Sequence, residues 1–190
     1  MADPWIDTVY EALRRRELDD ADLSARRVSA LLGKTTGALY HRWGSLDGFL
    51  FAVSQRGFVA LREALEAAFA RRGDLGDVAE AFVDFGLDHP ELYPLMLERR
   101  VDWDALRAAG VFDREVASGA LWDAMACVLS EAGCADVARD GRLLWAGLHG
   151  LVSLAASGRA NVRALDRSDR DVAREAAHAL ARRLLETTEK

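Results

Sequence analysis

The chain has 190 residues, of which 51% are apolar and 29% charged, and its formal net charge at pH 7 is −6. A chain this hydrophobic is not disordered, and its 34 Ala and 27 Leu against 14 Val, 1 Ile and 5 Thr favour an all-α fold. Because an acidic protein does not bind nucleic acid indiscriminately, any nucleic-acid interface must be a local basic patch. The longest uncharged stretch, residues 143–158, is too short and too polar to span a membrane, and the acidic N-terminus is unlike a signal peptide. We therefore expect a cytoplasmic protein that does not bind membranes.

Helix caps and apolar spacing predict about nine helices. Asp3 precedes Pro4 at the start of the first helix, Ser24 and Ser45 are good N-caps, and Thr35 or Thr36 can cap the helix between them. The stretches with helical character are 4–16, 24–32, 35–43, 45–73, 75–88, 90–99, a short one at 103–109, 113–132, 136–157 and 168–186, and the longest predicted loop of the C-terminal half is 158–167.

Residues 24–57 form the one basic region of the chain, with five basic residues and a single acidic one. Within this region, two short predicted helices are joined by the tight turn Gly33-Lys34, which is the arrangement of a helix-turn-helix. The second helix has Ala38 and Leu39 on its inner face and polar residues on its outer face. Such a helix can enter the major groove of DNA, while hydroxyl and basic side chains hold the phosphates.

The sequence of residues 23–43, LSARRVSALLGKTTGALYHRW, resembles that of the tetracycline-repressor-like (TetR) transcriptional regulators. The specific part of the resemblance is the spacing from Gly33 to Leu39-Tyr40, followed by an aromatic residue and then a serine that opens a long helix. The resemblance covers residues 5–57 and implies a DNA-binding domain at 1–45 and an effector-binding and dimerisation domain at 46–190. The helix at about 45–72 then connects the two domains.

The resemblance also implies a set of DNA contacts. Thr36, Tyr40 and His41 would face DNA, with the Tyr40 hydroxyl on one phosphate and Ser24, at its helix N-terminus, on another. The residues predicted to bind DNA are Ser24, Arg26, Lys34, Thr35, Thr36, Gly37, Tyr40 and His41. Two positions depart from the family: Lys34 replaces the usual apolar residue after the turn glycine, and Leu46 replaces a lysine that often contacts phosphate.

In the C-terminal region, residues 144–154 carry a Trp-x-x-x-His-Gly sequence similar to a signature of one TetR subgroup. Trp145 and His149 share a helix face, and Gly147 and Gly150 leave room for another helix. The predicted effector-binding residues are Tyr93, Met96, Trp122, Met125, Trp145 and His149. The alternative interpretation is that His149 is a core histidine and that the aromatic residues are packing residues.

A homodimer follows from the resemblance and from the size of a DNA half-site. Two-fold pairing places two recognition helices about 34–36 Å apart, which is one turn of DNA. The predicted interface lies on the last two helices and consists of Leu144, Leu148, Leu151, Val152 and Ala155 on one, and Val172, Ala176, Ala179, Leu180, Arg183 and Leu184 on the other. The alternative is that this face packs only within its own chain.

No sequence motif predicts catalysis. The chain has no Gly-rich phosphate loop, His-Glu-x-x-His or Gly-x-Ser-x-Gly motif, and its four histidines show no ligand-like pairing in sequence. We therefore predict no enzymatic activity, no metal site and no cofactor, with Asp84, Asp88 and Glu98 on solvated faces and the two cysteines as small core residues.

The sequence thus predicts a ligand-responsive transcriptional regulator, expected to be a repressor. It would bind a palindromic DNA operator as a homodimer and be released by a small-molecule effector. The alternative is a helical ligand-binding protein of the same fold that has lost specific DNA binding.

Overall fold

The computed structural model describes residues 3–19, 22–108, 117–162 and 166–186. These residues form ten α-helices, against the nine or so expected, and no strand, which confirms the all-α fold class. The helices are α1 (Pro4–Arg14), α2 (Ala25–Leu31), α3 (Thr36–Trp43), α4 (Leu46–Arg72), α5 (Leu75–Asp88), α6 (Leu92–Leu97), α7 (Trp103–Ala108), α8 (Ala117–Glu131), α9 (Val137–Ala156) and α10 (Asp169–Glu186). Parts of the predicted helices 103–109 and 113–132 and of the predicted loop 158–167 lie outside the described residues. No helix in the described ranges is long and apolar enough to cross a membrane.

Side-chain caps fix the helix starts in the N-terminal region. Thr35 Oγ1 accepts a hydrogen bond from the backbone N–H of Ala38 at 3.1 Å, so Thr35 rather than Thr36 caps α3. Ser45 Oγ accepts one from the N–H of Gly48 at 2.9 Å, and α4 begins at the next residue. These caps satisfy N–H groups that the first helical turn leaves without a backbone partner.

The chain forms two compact units. Unit 1 comprises Met1–Ala60 and His89–Gly119, and unit 2 comprises Leu61–Asp88 and Ala120–Lys190. Helix α4 therefore contributes its first part to unit 1 and its second part to unit 2. The predicted boundary at residue 45 separates a DNA-binding domain from an effector-binding domain. The compact units do not test this assignment of functions, so it stays a prediction.

The core of unit 1 holds the helix-turn-helix in place. Val28 of α2 and Leu39 of α3 are fully buried, as is Leu13 of α1. The Trp43 ring at the end of α3 meets the Phe49 ring of α4 edge to face, with centroids 5.3 Å apart. The second helix of the motif is thus anchored by apolar contacts while its other side is left to solvent.

Unit 2 is built on α5, α9 and α10. Ala173, Ala177 and Ala181 recur every four residues on α10 and are fully buried, so small side chains allow α10 to approach its neighbours closely. Phe82 of α5 is also fully buried and meets the Trp145 ring of α9 edge to face at 5.5 Å between centroids.

Two expectations about single residues in unit 2, those for Cys127 and Asp84, are wrong. Cys127 is exposed on α8 and not a core residue, whereas Cys134 is buried as predicted. Asp84 is only partly exposed and pairs with Arg170 of α10 at 3.0 Å, whereas Asp88, which pairs with the same arginine at 2.6 Å, is exposed as predicted. These acids form part of a charged row between α5 and α10.

Candidate nucleic-acid interface and effector region

The helix-turn-helix presents one polar surface to solvent. All eight residues predicted to bind DNA are exposed, whereas the apolar residues that hold α2 and α3 are buried. Tyr40 is 47% exposed, which is unusual for a large aromatic side chain in a packed protein. The turn between the helices depends on Gly33, whose φ of 63° is unfavourable for other residues. This surface consists of Ser24, Arg26, Lys34, Thr35, Thr36, Gly37, Tyr40 and His41, and we call it the α3 face.

The N-terminal end of α3 offers hydrogen-bond donors suited to an anion. The Thr35 oxygen accepts the capping hydrogen bond, which leaves its hydroxyl proton for an outside acceptor. Thr36 and Gly37 follow in the first helical turn and are exposed. Phosphate oxygens are such acceptors, and the positive end of the helix dipole favours them.

The basic region carries less unpaired positive charge than the sequence indicates. The Arg42 guanidinium lies 2.6 Å from an Asp3 carboxylate oxygen and 4.9 Å from the centroid of the Trp5 ring. Arg56 also forms an ion pair, with 3.7 Å between its Nε atom and Oδ1 of Asp7. The remaining basic residues of the region are Arg26, Arg27 and Lys34, and no ion pair among the described residues involves them.

The start of α4 forms an ion pair with Arg99, which lies far from it in the sequence. Leu46, which stands where the family often has a lysine, is half-buried as the first residue of α4. The next residue, Asp47, accepts a hydrogen bond from Arg99 at 2.9 Å. Arg99 follows α6 and is itself about one-third exposed.

The predicted effector residues fall into both units. Tyr93 and Met96 lie buried on α6 of unit 1, where the Met96 side chain packs over the backbone at Gly57. Burial raises the pKa of the Tyr93 hydroxyl far above its usual value, and the nearby Glu98 charge raises it further.

The other four predicted effector residues belong to unit 2. Trp122 of α8 packs over Gly141 of α9, Met125 is buried, and Trp145 contacts Phe82. His149 is half-buried. A partly open surface pocket, with about 310 Å³ of space that includes open solvent, lies in unit 1, but none of the six predicted residues lines it. It is lined by Asp47, Leu50, Phe51, Ser54, Leu95, Arg99, Arg100, Val101, Asp102 and Leu106. The effector assignment therefore stays a prediction.

Helix α9 exposes a different apolar face from the predicted one. Leu144, Leu148 and Val152 are each 1% exposed and pack within their own chain, so the prediction that they form the dimer interface is wrong. Leu143 and Leu154 are instead 53% and 46% exposed. When a helix is apolar on two sides, the spacing of its apolar residues does not indicate which side packs against the core of its own chain.

One polar cluster was missed entirely by the sequence reasoning. Asp77 and Glu80 of α5 meet His178 of α10, and the Glu80 carboxylate also accepts hydrogen bonds from Arg174. Burial raises the pKa of the Glu80 carboxyl, but the hydrogen bonds and charges of Arg174 and His178 outweigh it, so the net pKa is lowered. The spacing of Asp77 and Glu80 places both on one helix face, but nothing local indicates a histidine 98 residues after Glu80.

The exposed α2–turn–α3 motif in an all-α chain defines a helix-turn-helix protein. The chain belongs to the tetracycline-repressor-like family, because the sequence profile described as "Tetracyclin repressor-like, C-terminal domain" matches residues 75–185, more than half of its length. No curated protein matches the chain in sequence.

Three solved structures share the fold, and each alignment covers 95% of this chain. A protein of unknown function from Rhodococcus sp. RHA1 has a TM-score of 0.69 at 24% identity, with 95% of that chain covered. A candidate regulatory protein, SCO4313, has a TM-score of 0.64 at 15% identity, with 98% covered. The TetR family transcriptional regulator PfmR from Thermus thermophilus has a TM-score of 0.57 at 18% identity, also with 98% covered.

Proposed function

We propose that this protein is a ligand-responsive transcriptional regulator of the TetR family that represses transcription by binding a palindromic DNA operator as a homodimer. The observation that carries the proposal is the α3 face, whose eight polar and basic residues are all exposed on a motif anchored by buried apolar residues. Arg26 and Lys34 supply charge for phosphates, the Tyr40 hydroxyl is the candidate for a hydrogen bond to a phosphate, and Thr36 and His41 are the candidates for contacts in the groove.

Exposed apolar residues on α9 support the homodimer that a palindromic operator requires. Leu143 and Leu154 lie on one side of α9, and Gly150 between them has open space where a side chain would stand. An apolar helix face with a glycine in it allows a second helix to pack closely. On α10, Ala179 and Leu180 remain candidates for the same interface, since neither is fully buried.

Release from DNA requires an effector that prefers one conformation of the dimer. We assign this effector to unit 2, with Trp122, Met125, Trp145 and His149 as its candidate contacts and the Trp-x-x-x-His-Gly sequence as a feature of the binding region. Tyr93 and Met96 belong to unit 1 and stay predictions from the sequence. An effector that binds all conformations of the dimer equally tightly does not change their populations. The effector must therefore bind most tightly to a conformation whose half-site spacing fits DNA badly. Helix α4 contributes residues to both units and is the proposed connection between them.

Selection of random double-stranded DNA on the purified protein at about 150 mM salt tests this function. The expected result is enrichment of a two-fold symmetric motif. Tyr40→Phe removes one hydroxyl from the α3 face and should weaken binding to the selected site by about tenfold, because a hydrogen bond to a phosphate is lost. Glu63→Gln, an exposed change on α4, is the matched control and should bind like the unmodified protein.

The alternative function is a ligand-binding protein of this fold without an operator. The observation in its favour is charge: Arg42 and Arg56 are paired with acids, and Leu46 supplies no cation at the start of α4. Absence of any enriched sequence, from protein shown to be folded and dimeric, would support this alternative and overturn the regulator proposal. The prediction that the protein is not an enzyme applies to both functions.

A further inference from the structure

We propose that Asp77, Glu80 and His178 form a binding site for a divalent transition-metal ion, with Zn²⁺ as the best-matched ion. Each of the three side chains offers one ligand atom, and these atoms lie within 4.8 Å of one another. All three residues belong to unit 2, so the site involves one compact unit alone. The proposal is independent of DNA binding.

The backbone places the three ligands from two helices. Asp77 and Glu80 are three residues apart on α5 and therefore project on the same side, towards His178 of α10. His178 Nδ1 already lies 3.0 Å from Glu80 Oε1. Zn²⁺ bonds of about 2.0–2.2 Å separate tetrahedral ligand atoms by about 3.3–3.6 Å, so the most distant pair must close by about 1 Å. Side-chain rotation of Asp77, which is 22% exposed, is sufficient for this movement.

The glycine at position 76 makes room for the histidine. A Cβ atom built on Gly76 would lie 2.4 Å from His178 Cε1 and 2.5 Å from its Nδ1, so the imidazole rests directly on the α5 backbone. Any larger residue at this position would push the ring away from the two carboxylates. The packing thus holds the imidazole beside both acids before an ion arrives, which lowers the cost of assembling the site.

The surrounding charges allow a dication. Arg174 binds the Glu80 Oε2 atom at 2.7 Å, which orients the carboxylate. Glu80 Oε1 shares a hydrogen bond with His178 Nδ1, so the ion replaces the proton between these two atoms and the proton is released to solvent. Arg72 approaches Asp77 only to 4.0 Å, and its side chain is 78% exposed, so it can turn into solvent. A neutral imidazole and two carboxylates then face the ion with two negative charges.

The donor set determines which ions fit. Imidazole nitrogen with carboxylate oxygen suits Zn²⁺, Ni²⁺ and Cu²⁺, whereas Mg²⁺ prefers oxygen ligands alone. Three protein ligands leave a fourth tetrahedral position for water. Because the ligands come from α5 and α10, a bound ion would link these helices and raise the thermal stability of the protein.

Isothermal titration of Zn²⁺ into chelator-treated, tag-free, full-length protein tests the site. We expect one Zn²⁺ per chain, a rise in Tm on binding, and no competition from Mg²⁺. Asp77→Asn and His178→Gln should each weaken Zn²⁺ binding by about tenfold or more. The matched control is Asp123→Asn on α8, which removes an exposed acid elsewhere and should leave the affinity unchanged.

The proposal is overturned if the unmodified protein does not bind Zn²⁺, or if both ligand variants, shown to be folded by circular dichroism, bind it undiminished. X-ray absorption of the Zn²⁺-loaded protein decides the question even if a variant fails to fold. One imidazole nitrogen with oxygen donors is the expected shell. Sulfur donors would instead assign the ion to Cys127 or Cys134 and exclude this site.

Discussion

Arg42 at the end of α3 is tied to Asp3 at the start of α1, with 2.6 Å between guanidinium and carboxylate. The other Asp3 carboxylate oxygen accepts a hydrogen bond from the backbone N–H of Trp5 at 2.9 Å, so Asp3 also caps α1. The Arg42 guanidinium lies over the Trp5 ring, which adds a cation–π contact. One acidic residue thus begins the first helix and restrains the last turn of the proposed recognition helix.

Changes at Asp3 should separate its two roles. Asp3→Asn keeps a good capping side chain but removes the ion pair, and should lower the free energy of unfolding by about 0.5 kcal/mol, since the Arg42 side chain is half exposed. Asp3→Ala removes the cap as well and should cost about 1 kcal/mol more. Urea denaturation followed by circular dichroism measures both.

A double-mutant cycle with Arg42→Gln isolates the ion pair from the cap. We expect a coupling energy of about 0.5 kcal/mol between positions 3 and 42. Additive effects, with no coupling, would show that the pair contributes nothing to stability and that Asp3 acts only as a cap.

Leu46→Lys should strengthen DNA binding if the protein binds an operator. A lysine at the first position of α4 restores the cation that the family often has there, and each added phosphate contact steepens the plot of log K against log salt by about 0.9. The affinity gain should be largest at low salt and disappear at high salt. Fluorescence anisotropy with a labelled operator at several salt concentrations measures the slope.

Leu46→Met is the control for this change because it alters the side chain without adding charge. Equal salt slopes for the Lys and Met variants, on a DNA that both bind specifically, would mean that the start of α4 does not reach a phosphate. The Arg99 guanidinium on the neighbouring Asp47 would then be the first alternative cation to test.

The helix starts and the α3 face could be predicted because their signals are local. A cap such as Thr35 acts on an N–H group three residues away, and the turn at Gly33 needs one residue with positive φ. Leu39 is buried and its neighbour Tyr40 is exposed because successive residues of an α-helix point in different directions. One helical turn of sequence is enough to predict this difference.

What the sequence did not predict depends on contacts between distant residues. Arg42 is neutralised by a residue 39 positions earlier, and His178 meets Glu80 from 98 positions later. On α9, both Leu143 and Leu144 are apolar, and only the packing of unit 2 decides that the second is buried and the first exposed. No periodic pattern or motif in the sequence indicates these two contacts or this difference in burial.

Glu131→Gln should make the Cys127 thiol more reactive. The thiol donates a hydrogen bond to the Glu131 carboxylate at 3.3 Å, and this bond, together with the negative charge, raises the pKa of Cys127. A raised pKa leaves less thiolate at a given pH, so removing the charge lowers the pKa and increases the thiolate fraction. The rate of iodoacetamide alkylation at pH 8 should therefore rise in the variant.

Cys134 provides an internal control for alkylation because it is buried and should react slowly in both proteins. Mass spectrometry after digestion assigns the modified cysteine. If Cys127 is alkylated at the same rate in the unmodified protein and in the Glu131→Gln variant, the hydrogen bond and the carboxylate charge do not control the thiol.

Two glycines on α9 should respond oppositely to alanine. A Cβ on Gly147 would lie 2.4 Å from a methyl carbon of Leu180, whereas a Cβ on Gly150 would meet nothing within 4 Å. Alanine favours the helix at both positions by up to about 1 kcal/mol, but at position 147 overpacking should exceed this gain. In the monomeric chain, Gly150→Ala should therefore raise the free energy of unfolding and Gly147→Ala should lower it by about 1 kcal/mol, measured by urea denaturation at a protein concentration too low for dimerisation.

The double change Gly147→Ala with Leu180→Ala tests the cause of the Gly147 effect. Removing the Leu180 methyl groups should make Gly147→Ala favourable, so that the alanine costs nothing in that background. All variants need to be compared at one protein concentration, because dimerisation would make stability depend on it. Equal gains from Gly147→Ala and Gly150→Ala in the unmodified background would show that the Leu180 side chain moves aside freely, and that the close approach of α10 to α9 at Gly147 is not required for stability.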